Sequence, residues 1–346
     1  MYNTFRPLIF RLTPEQAHIG TIALLHLAGG LAPGRLAMRL MFTPKKPGPA
    51  VQAFGLTFPN PLGMAAGYDK DGLGWRGLAL LGFGHVEIGT VTPRPQSGNP
   101  LPRVYRLVQD QAVINRMGFP NRGAEQIARQ LRGGWRPKGT ILGVNIGKNK
   151  TTPLDEAAGD YLSLMRSFAP LCDYLAINVS SPNTPGLRSL QTRKALENLL
   201  APLALERAQQ VKALGRPLPL LVKLAPDLAY DELDGALEAI INSGMDGLIA
   251  SNTTISRAGL SSPMATETGG LSGAPLKDMN TRFIRRVMQC LGQSDRSRLP
   301  ILASGGVITP ADVQEKLEAG ACLVQLYTGL IYQGPGLVKR LLDDCF

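Results

Sequence analysis

Residues 174–188 read Tyr-Leu-Ala-Ile-Asn-Val-Ser-Ser-Pro-Asn-Thr-Pro-Gly-Leu-Arg, a short apolar run that passes directly into a dense polar turn. The apolar run is typical of a strand buried on both faces of a parallel sheet. Polar groups at the end of such a strand are costly to bury unless they find partners. Asn178 and Asn183 offer amides, and Ser180 and Ser181 offer hydroxyls. The turn either satisfies its own backbone or binds a polar ligand, and this stretch alone leaves both possibilities open.

The same alternation of apolar run and polar turn recurs along the chain. Helix-like patterns separate the runs, for example over residues 190–213, 231–243, 280–291 and 310–319. Eight strands alternating with helices predict an α/β protein with a (β/α)8 barrel. We disfavour an open doubly wound sheet because we identify no glycine-rich dinucleotide fingerprint opening a helix after a strand. The predicted strands are Leu62–Ala66, Val86–Gly89, Leu142–Ile146, Tyr174–Ile177, Leu220–Leu224, Gly247–Ala250, Ile301–Ala303 and Val324–Leu326.

Polar or glycine-rich residues follow almost every predicted strand. A barrel places its active site at the carboxyl ends of its strands, so these turns predict one shared site. Ser304-Gly305-Gly306 and Tyr327-Thr328-Gly329 follow the last two strands, where backbone amides commonly bind phosphate. The long segment between strands two and three carries Asn115-Arg116-Met117-Gly118-Phe119, and segments of that length often fold over a site.

Composition supports a soluble globular protein with a sizeable core: 346 residues, 44% hydrophobic and 18% charged. The four cysteines are far apart and form no C-x-x-C pair, so we expect neither a disulfide framework nor a metal site. The net charge of +11 suits an acidic membrane surface, a nucleic acid or an anionic small molecule. Residues 1–46 hold six Lys or Arg against the single acid Glu15, which gives +5 of that +11.

Residues 1–46 are predicted to form a helical extension, and residues 47–346 the barrel. Thr13-Pro14 marks a helix start and Gly29-Gly30 its end, with a second short helix from Pro33 to about Met41. These apolar helices with basic edges either pack on the barrel or lie in a membrane interface. Periodicity alone favours packing on the barrel. We find no secretory signal and no run long enough to span a bilayer.

Several motifs together resemble one family. They are Ala-Gly-Tyr-Asp-Lys-Asp-Gly, Glu-Ile-Gly-Thr-Val-Thr-Pro, Asn-Arg-Met-Gly-Phe, Asn-Ile-Gly-Lys-Asn-Lys, Asn-Val-Ser-Ser-Pro-Asn-Thr-Pro-Gly-Leu-Arg, Thr-Gly-Gly-Leu-Ser-Gly and Gln-Leu-Tyr-Thr-Gly. Residues 55–335 resemble dihydroorotate dehydrogenase, and the whole chain resembles its membrane-associated, quinone-reducing class. The resemblance implies a barrel that holds FMN and oxidises dihydroorotate to orotate in pyrimidine synthesis, with hydride transfer to the flavin N5.

The resemblance also implies roles for individual residues. Ser181 is the expected base, at a position where the soluble class has a cysteine. Residues expected to contact the substrate are Lys70, Asn115, Arg116, Met117, Gly118, Phe119, Asn178, Asn183, Asn252 and Thr253. Residues expected to hold FMN are Ala66, Gly67, Tyr68, Asp69, Lys70, Thr90, Asn145, Asn178, Lys223, Ser251, Gly273, Gly306, Tyr327 and Thr328. His18, Arg103 and Tyr327 are expected to meet the quinone head.

Residue chemistry agrees with several of these roles. A fixed ammonium such as Lys70 suits a small anionic substrate, and paired Asn amides complement the amide edges of a pyrimidine ring. Lys223 is placed to stabilise negative charge on a reduced flavin. A serine base needs a dry site and a relay, for which we expect Thr184 or a water beside Phe119.

The resemblance favours the membrane interpretation of the N-terminal helices, which would form a tunnel for a quinone tail. We therefore expect a monomeric peripheral protein on the cytoplasmic side of a bacterial inner membrane, with no nucleic-acid partner. Two alternative functions make different demands on the sequence. An FMN barrel acting on RNA, of the dihydrouridine synthase kind, would place a cysteine acid in the site loop, where this chain has Ser181. A non-enzymatic membrane scaffold would not need polar groups at eight strand ends.

Overall fold

The computed structural model describes residues 2–292 and 299–346, which form a barrel with N-terminal helices. The strands are β1 (Val51–Ala53), β2 (Leu56–Phe58), β3 (Leu62–Met64), β4 (His85–Val91), β5 (Val104–Leu107), β6 (Ala112–Asn115), β7 (Ile141–Ile146), β8 (Tyr174–Asn178), β9 (Leu220–Leu224), β10 (Gly247–Ala250), β11 (Gly270–Gly273), β12 (Ile301–Ser304) and β13 (Leu323–Leu326). The α-helices are α1 (Tyr2–Ile9), α2 (Pro14–Gly30), α3 (Ala32–Phe42), α4 (Trp75–Ala79), α5 (Ala124–Arg132), α6 (Ala157–Phe168), α7 (Arg193–Leu214), α8 (Tyr230–Asn242), α9 (Lys277–Gly292), α10 (Pro310–Glu318), α11 (Thr328–Gln333) and α12 (Leu337–Cys345).

Eight parallel strands close the barrel in the order β3-β4-β7-β8-β9-β10-β12-β13, and β13 pairs back onto β3. Each of the eight runs predicted from the sequence forms one of these strands, so the prediction of a (β/α)8 barrel is confirmed. A glycine-rich run with the spacing that we expected to be absent is nevertheless present. The run Gly72-Leu-Gly-Trp-Arg-Gly77 does have dinucleotide-fingerprint spacing and leads into α4, although the sheet around it is closed. The glycine spacing therefore carried no information about sheet type.

Aromatic rings fill the amino-terminal end of the barrel, opposite the predicted site. A Cβ on Gly63 would lie 2.0 Å from the His85 ring, and one on Gly143 would lie 2.1 Å from the Tyr174 ring. The hairpin formed by β1 and β2 closes this end and adds Phe54 to the packing. Glycines in the strands thus make room for large side chains, and the bottom of the barrel is packed shut.

Glu87 is fully buried in the middle of the barrel, where three side chains donate to its carboxylate. Asn145 Nδ2 donates to Oε1 at 2.8 Å, while Tyr174 Oη and Gln325 Nε2 each donate to Oε2 at 2.9 Å. A buried carboxylate persists only when it is satisfied in this way. The network forms a rigid polar floor beneath the mouth.

A second sheet, which the sequence pattern did not indicate, covers part of the mouth. Strands β5, β6 and β11 pair antiparallel, and β11 reaches β6 from more than 150 residues away, with Gly270 opposite Asn115. This sheet brings the segment after β6 over the carboxyl ends of the barrel strands. It therefore fixes one wall of the site.

Three helices precede the barrel. The predicted start of α2 is confirmed, since Thr13 Oγ1 accepts from Gln16 N at 3.3 Å and Gln16 Oε1 accepts from Thr13 N at 3.1 Å. The second predicted helix corresponds to α3, whereas α1 was not singled out. Among the described residues, no single helix has the length and apolar composition to cross a bilayer, although α2 and α3, bent by 106° at their junction, meet that test as a pair.

Helix α2 packs closely on α4, and glycines make the approach possible. A Cβ on Gly29 would lie 2.6 Å from the Gly77 nitrogen, and one on Gly77 would lie 2.3 Å from the Leu25 carbonyl oxygen. His26 Nδ1 is also 2.9 Å from the Leu73 carbonyl oxygen. The helices are therefore docked on the barrel along one side, while much of their other surface is exposed.

Candidate active site

A cavity opens at the carboxyl ends of the barrel strands, and we call it the strand-end cavity. It encloses about 970 Å³ of space, counted out to its mouth and including open solvent. The predicted site residues that line it are Ala66, Gly67, Lys70, Thr90, Asn115, Met117, Gly118, Phe119, Asn178, Ser181, Asn183, Lys223, Ser251, Asn252, Thr253, Gly273, Gly306, Tyr327 and Thr328. Residues from distant parts of the chain thus meet at one mouth, as the sequence predicted.

Arg116 does not line the cavity, contrary to our expectation. Its Nη1 donates to Glu267 Oε2 at 2.6 Å, and its guanidinium lies over the Tyr105 ring at 4.7 Å. Its neighbours in β6 and the following turn face the cavity, so alternation of the extended backbone points Arg116 outward. Its side chain braces the outer sheet.

Asp69 and Tyr68 also lie outside the strand-end cavity. Asp69 accepts from the backbone nitrogens of Leu73 at 3.0 Å and Gly74 at 2.8 Å, just before α4. Burial raises the pKa of Asp69 to about 6 despite these bonds. Tyr68 is buried on the far side of the wall and stacks edge-on with Tyr327, with ring centroids 5.5 Å apart. Both residues therefore support the wall of the strand-end cavity without lining it.

Asn145 acts one layer behind the cavity surface. Its Oδ1 accepts from Thr90 Oγ1 at 2.6 Å and from Asn178 Nδ2 at 3.1 Å, and Asn178 Nδ2 also donates to Thr90 Oγ1 at 2.8 Å. Because Asn145 also donates to Glu87, the amides at the mouth are fixed by the buried floor. Such a network fixes the orientation of each amide, and so determines which of its atoms can hydrogen-bond a ligand.

Lys223 projects from β9 into the cavity and is 5% exposed. Burial lowers the pKa of this lysine, and the Glu87 carboxylate offsets part of that effect. An ammonium held at the cavity floor can stabilise negative charge that develops on a bound group.

Ser181 lies in the turn after β8, is 5% exposed and faces the cavity. Its Oγ accepts from the Asn183 nitrogen at 3.2 Å. The Thr184 hydroxyl, three residues on, is buried and has no hydrogen-bond partner among the residues that the structure describes. A hydroxyl with a free bonding capacity beside this turn is suited to exchange a proton with a neighbour.

Lys70 stands in the wall between the strand-end cavity and a second one, and lines both. Its ammonium donates to the Gly67 carbonyl oxygen. Burial, with a smaller effect of Arg103, lowers the pKa of Lys70 to about 8, although nearby carboxylates oppose the shift. The side chain is therefore mostly charged at neutral pH.

Glycines shape the rim formed by the last two barrel strands. Gly306 has φ +72°, and a Cβ there would lie 2.2 Å from the Lys277 Cα. The chain can follow this path only with glycine. Tyr327 and Thr328, at the start of α11, complete the rim. The result is a close-fitting backbone cradle of the kind that binds phosphate.

The second cavity, which we call the helix cavity, lies between α1, α2 and α3 and the barrel, and encloses about 1520 Å³ out to its mouth. Its lining is mostly apolar, including Leu24, Leu25, Ala28, Met38, Phe42, Leu81, Leu330 and Ile331. Such a space suits a long apolar ligand.

Of the three residues predicted to meet the quinone head, two line the helix cavity and the third lies behind its lining. His18 and Tyr327 line the helix cavity, and the His18 ring stacks edge-on with Tyr68 at 5.4 Å. Burial and the Lys70 charge lower the pKa of His18 to about 3, so it is neutral at physiological pH. Arg103 stands behind the lining, where its Nε donates to Glu15 Oε1 at 2.9 Å. Arg103 reaches the helix cavity through Glu15, which does line it.

Sequence reasoning missed Gln325 and Ser272 as cavity residues. Gln325 stands in β13, where a polar side chain in an apolar strand was a usable signal. Its Oε1 is buried without a partner among the described residues, which marks unused bonding capacity at the floor. Ser272 stands in the Thr-Gly-Gly-Leu-Ser-Gly motif that the sequence places at this face, although only Gly273 of that motif was named as a site residue; the pairing of β11 with β6 brings Ser272 to the cavity.

Comparisons with known proteins give one consistent result. A sequence model of the family described as Dihydroorotate dehydrogenase matches residues 50–345. Proteins named Dihydroorotate dehydrogenase (quinone) from Cellvibrio japonicus and Stutzerimonas stutzeri are each 46% identical, over 98% and 99% of this chain and 96% and 97% of theirs. The crystal structure of DHODH from Eimeria tenella in complex with ferulenol superposes with a TM-score of 0.84 at 36% identity, covering 96% of this chain and 90% of that one.

Proposed function

This chain belongs to the dihydroorotate dehydrogenase family, and on that premise we propose how its residues oxidise dihydroorotate to orotate, in pyrimidine biosynthesis, with a quinone as electron acceptor. One observation carries the assignment of roles. Lys70, Ser181, Lys223 and Gly306 come from four distant parts of the chain and line the same cavity. The reaction needs an anion anchor, a base, a charge stabiliser and a cofactor cradle, and these four residues supply groups of those kinds.

We infer that FMN is the cofactor, because the cavity fits its chemistry. The glycine rim supports a phosphate, Lys223 supports negative charge on a reduced ring, and Gln325 Oε1, which has no partner among the described residues, supports a ring donor. When bound, FMN supplies the acceptor for hydride from the substrate and the route for electrons to the quinone. The residues that would hold it are Ala66, Gly67, Thr90, Asn178, Lys223, Ser251, Gly273, Gly306, Tyr327 and Thr328, with Asn145 orienting Thr90 and Asn178.

Dihydroorotate is a small cyclic diamide with one carboxylate. Lys70 would anchor the carboxylate as a charged donor. Four amides, those of Asn115, Asn178, Asn183 and Asn252, surround the remaining space and can pair with the edges of the ring. Thr253 and the stretch Met117–Phe119 would complete the pocket. This arrangement orients the ring before reaction, which is a large part of the rate enhancement.

Ser181 would take the proton that leaves C5 as hydride leaves C6, so that the new double bond forms between those two carbons. A serine hydroxyl can accept this proton only by passing its own proton on. The buried Thr184 hydroxyl, three residues along the chain and with bonding capacity unused among the described residues, is the group that we propose for that relay. Phe119, which lines the cavity, would help keep bulk water away from the transfer.

The helix cavity would admit the quinone. Its apolar lining suits the tail, while neutral His18, Tyr327 and the Glu15–Arg103 pair offer polar groups near the wall shared with the strand-end cavity. Residues 1–46 would thus serve as the quinone-access unit and residues 47–346 as the catalytic barrel.

We further propose that the protein is a monomer that lies on the cytoplasmic face of a bacterial inner membrane. The N-terminal helices expose large apolar side chains, and four of them, Ile19, Leu24, Leu36 and Leu40, are 60–76% exposed. Basic residues stand among these helices, as expected of a surface that meets anionic lipid.

The test is anaerobic addition of dihydroorotate to the purified protein. We expect flavin absorbance that bleaches on substrate addition and returns on addition of a quinone. Protein without flavin absorbance would refute the cofactor, and coloured protein that does not bleach would refute the substrate.

A further inference from the structure

Two side-chain amides in the turn after β4 hold the segment that lines the strand-end cavity. Gln96 Nε2 donates to the carbonyl oxygens of Gly118 at 3.0 Å and Phe119 at 3.1 Å. Asn99 Nδ2 donates to the carbonyl oxygen of Arg116 at 2.9 Å. The backbone adds to this hold, since Gln96 and Asn121 form an isolated antiparallel bridge and the Asn99 nitrogen donates to the Met117 carbonyl oxygen at 2.9 Å. The side-chain amides satisfy the remaining carbonyl oxygens of this irregular segment.

Asn99 also reaches the loop that carries Ser181. The same Nδ2 donates to the Asn183 carbonyl oxygen at 3.2 Å. Asn183 is two residues from Ser181, and its nitrogen donates to Ser181 Oγ. One amide therefore joins the two walls between which the substrate ring would lie.

The packing leaves this turn little freedom. A Cβ on Gly118 would lie 2.8 Å from Asn99 Nδ2, and one on Gly98 would lie 2.3 Å from the Met117 carbonyl oxygen. Both glycines have positive φ, at +70° and +79° respectively. Close contact of this kind is consistent with a position that is geometrically determined rather than a surface loop in chance contact.

The turn is held from behind as well. Gln96 Oε1 accepts from Asn149 Nδ2 at 2.9 Å, and Asn99 Oδ1 accepts from Lys150 Nζ at 3.0 Å. Arg103, paired with Glu15 of α2, donates through Nη1 to the Asn99 carbonyl oxygen at 3.0 Å. The turn is thus linked through Arg103 to Glu15, which lines the helix cavity.

We propose that Gln96 and Asn99, together the amide clasp, are positioning residues that set the width of the substrate pocket between Phe119 and Asn183. This inference rests on the proposed function, since it takes Asn183 and Ser181 as substrate groups. The clasp does not touch the substrate. It acts by holding the carbonyl oxygens of the two facing segments at a fixed separation.

The deciding variant is Asn99→Leu in the full-length holoenzyme, because leucine has a similar shape and donates nothing. The two donations hold the pocket walls and do not bind the ligand, so only part of their stabilisation reaches the ligand, and we expect the Kd of orotate, measured by calorimetry, to rise on the order of tenfold. Flavin reduction by dihydroorotate should slow as Ser181 loses its alignment. Reoxidation by quinone should stay within about twofold, which a general loss of structure would not allow.

The matched control is Lys150→Met, which removes the bond to Asn99 Oδ1 and leaves both donations from Nδ2. We expect its orotate affinity and its thermal unfolding to match the wild type. Should Asn99→Leu not purify folded, Asn99→Ala removes the same donations without adding bulk. Unchanged orotate affinity in these Asn99 variants, or an equal loss in Lys150→Met, would overturn the clasp. A wild-type protein that neither binds orotate nor bleaches with dihydroorotate would instead refute the proposed function.

Discussion

The strand-end cavity and the helix cavity share a wall but differ in nearly every chemical respect. Lys70, Met117 and Tyr327 line both. The first cavity is built from amides, hydroxyls and lysines fixed at the ends of barrel strands. The second is built from apolar side chains on helices docked on the barrel. This contrast indicates that a small anion and a long apolar molecule can approach the shared wall from opposite sides. Substitutions in one cavity should therefore change one half-reaction, either flavin reduction by dihydroorotate or flavin reoxidation by quinone, without changing the other.

Removing the proposed base should give the largest separation between the two half-reactions. In Ser181→Ala, flavin reduction by dihydroorotate is expected to fall by about 10²–10⁴, the usual contribution of a positioned base. The yellow colour and the rate of reoxidation by quinone should remain, since both depend on other residues. Stopped-flow measurement of the two half-reactions checks this, and unchanged reduction would place the base elsewhere.

Removing the helix cavity should give the opposite result. Deletion of residues 1–44 is expected to abolish quinone reduction while substrate still bleaches the flavin. Ala28→Trp, which fills the cavity without removing a helix, serves as the folded comparison and should raise the quinone KM. Quinone reduction that survives both changes would show that the electrons leave by another route.

The shared wall predicts a pH effect confined to one substrate. Lys70 has its pKa lowered to about 8, so it is charged below pH 8 and loses its proton above it. Binding of the dihydroorotate carboxylate favours the charged form, so the KM for dihydroorotate should rise by about tenfold per pH unit above 8. The matched variant Lys70→Arg keeps its charge and should show a flat profile. A wild-type profile equally flat to pH 10 would contradict the anchoring role.

The ion pair between Glu15 and Arg103 should give the smallest effect. Both side chains are partly exposed, at 23% and 15%, and pairs of this kind contribute about 0.2–1 kcal/mol. Glu15→Gln is expected to raise the quinone KM less than about fivefold and to leave flavin reduction by dihydroorotate unaltered. A larger effect on dihydroorotate than on quinone would mean that the pair acts mainly on the substrate side.

The sequence predicted the barrel and most of the strand-end cavity because both depend on local pattern. Each strand is a short apolar run, and the polar residues at its carboxyl end follow it directly in the sequence, as Asn178 to Asn183 do. Once the barrel is assumed, geometry brings those ends together. Lys223 and Gly306 were assigned in this way, and both line the cavity.

The structure differs from the expected side-chain placements where orientation depends on non-local pairing. Arg116 was placed in the cavity with its neighbours, yet it turns outward to Glu267, a partner 151 residues away. Tyr68 and Asp69 follow a strand end as the pattern requires, but they face the helix cavity and the start of α4. A sequence motif specifies which residue occupies a position, but it does not specify the direction in which the side chain points.

The chain's own order of residues therefore determined its fold class, its strand ends and its family, because periodicity and turn chemistry are local properties. Tertiary structure alone decided the antiparallel sheet over the mouth, the depth of the helix cavity and the contacts of Asn99. Those features arise from pairings across long stretches of chain, and their energies depend on which surfaces finally meet.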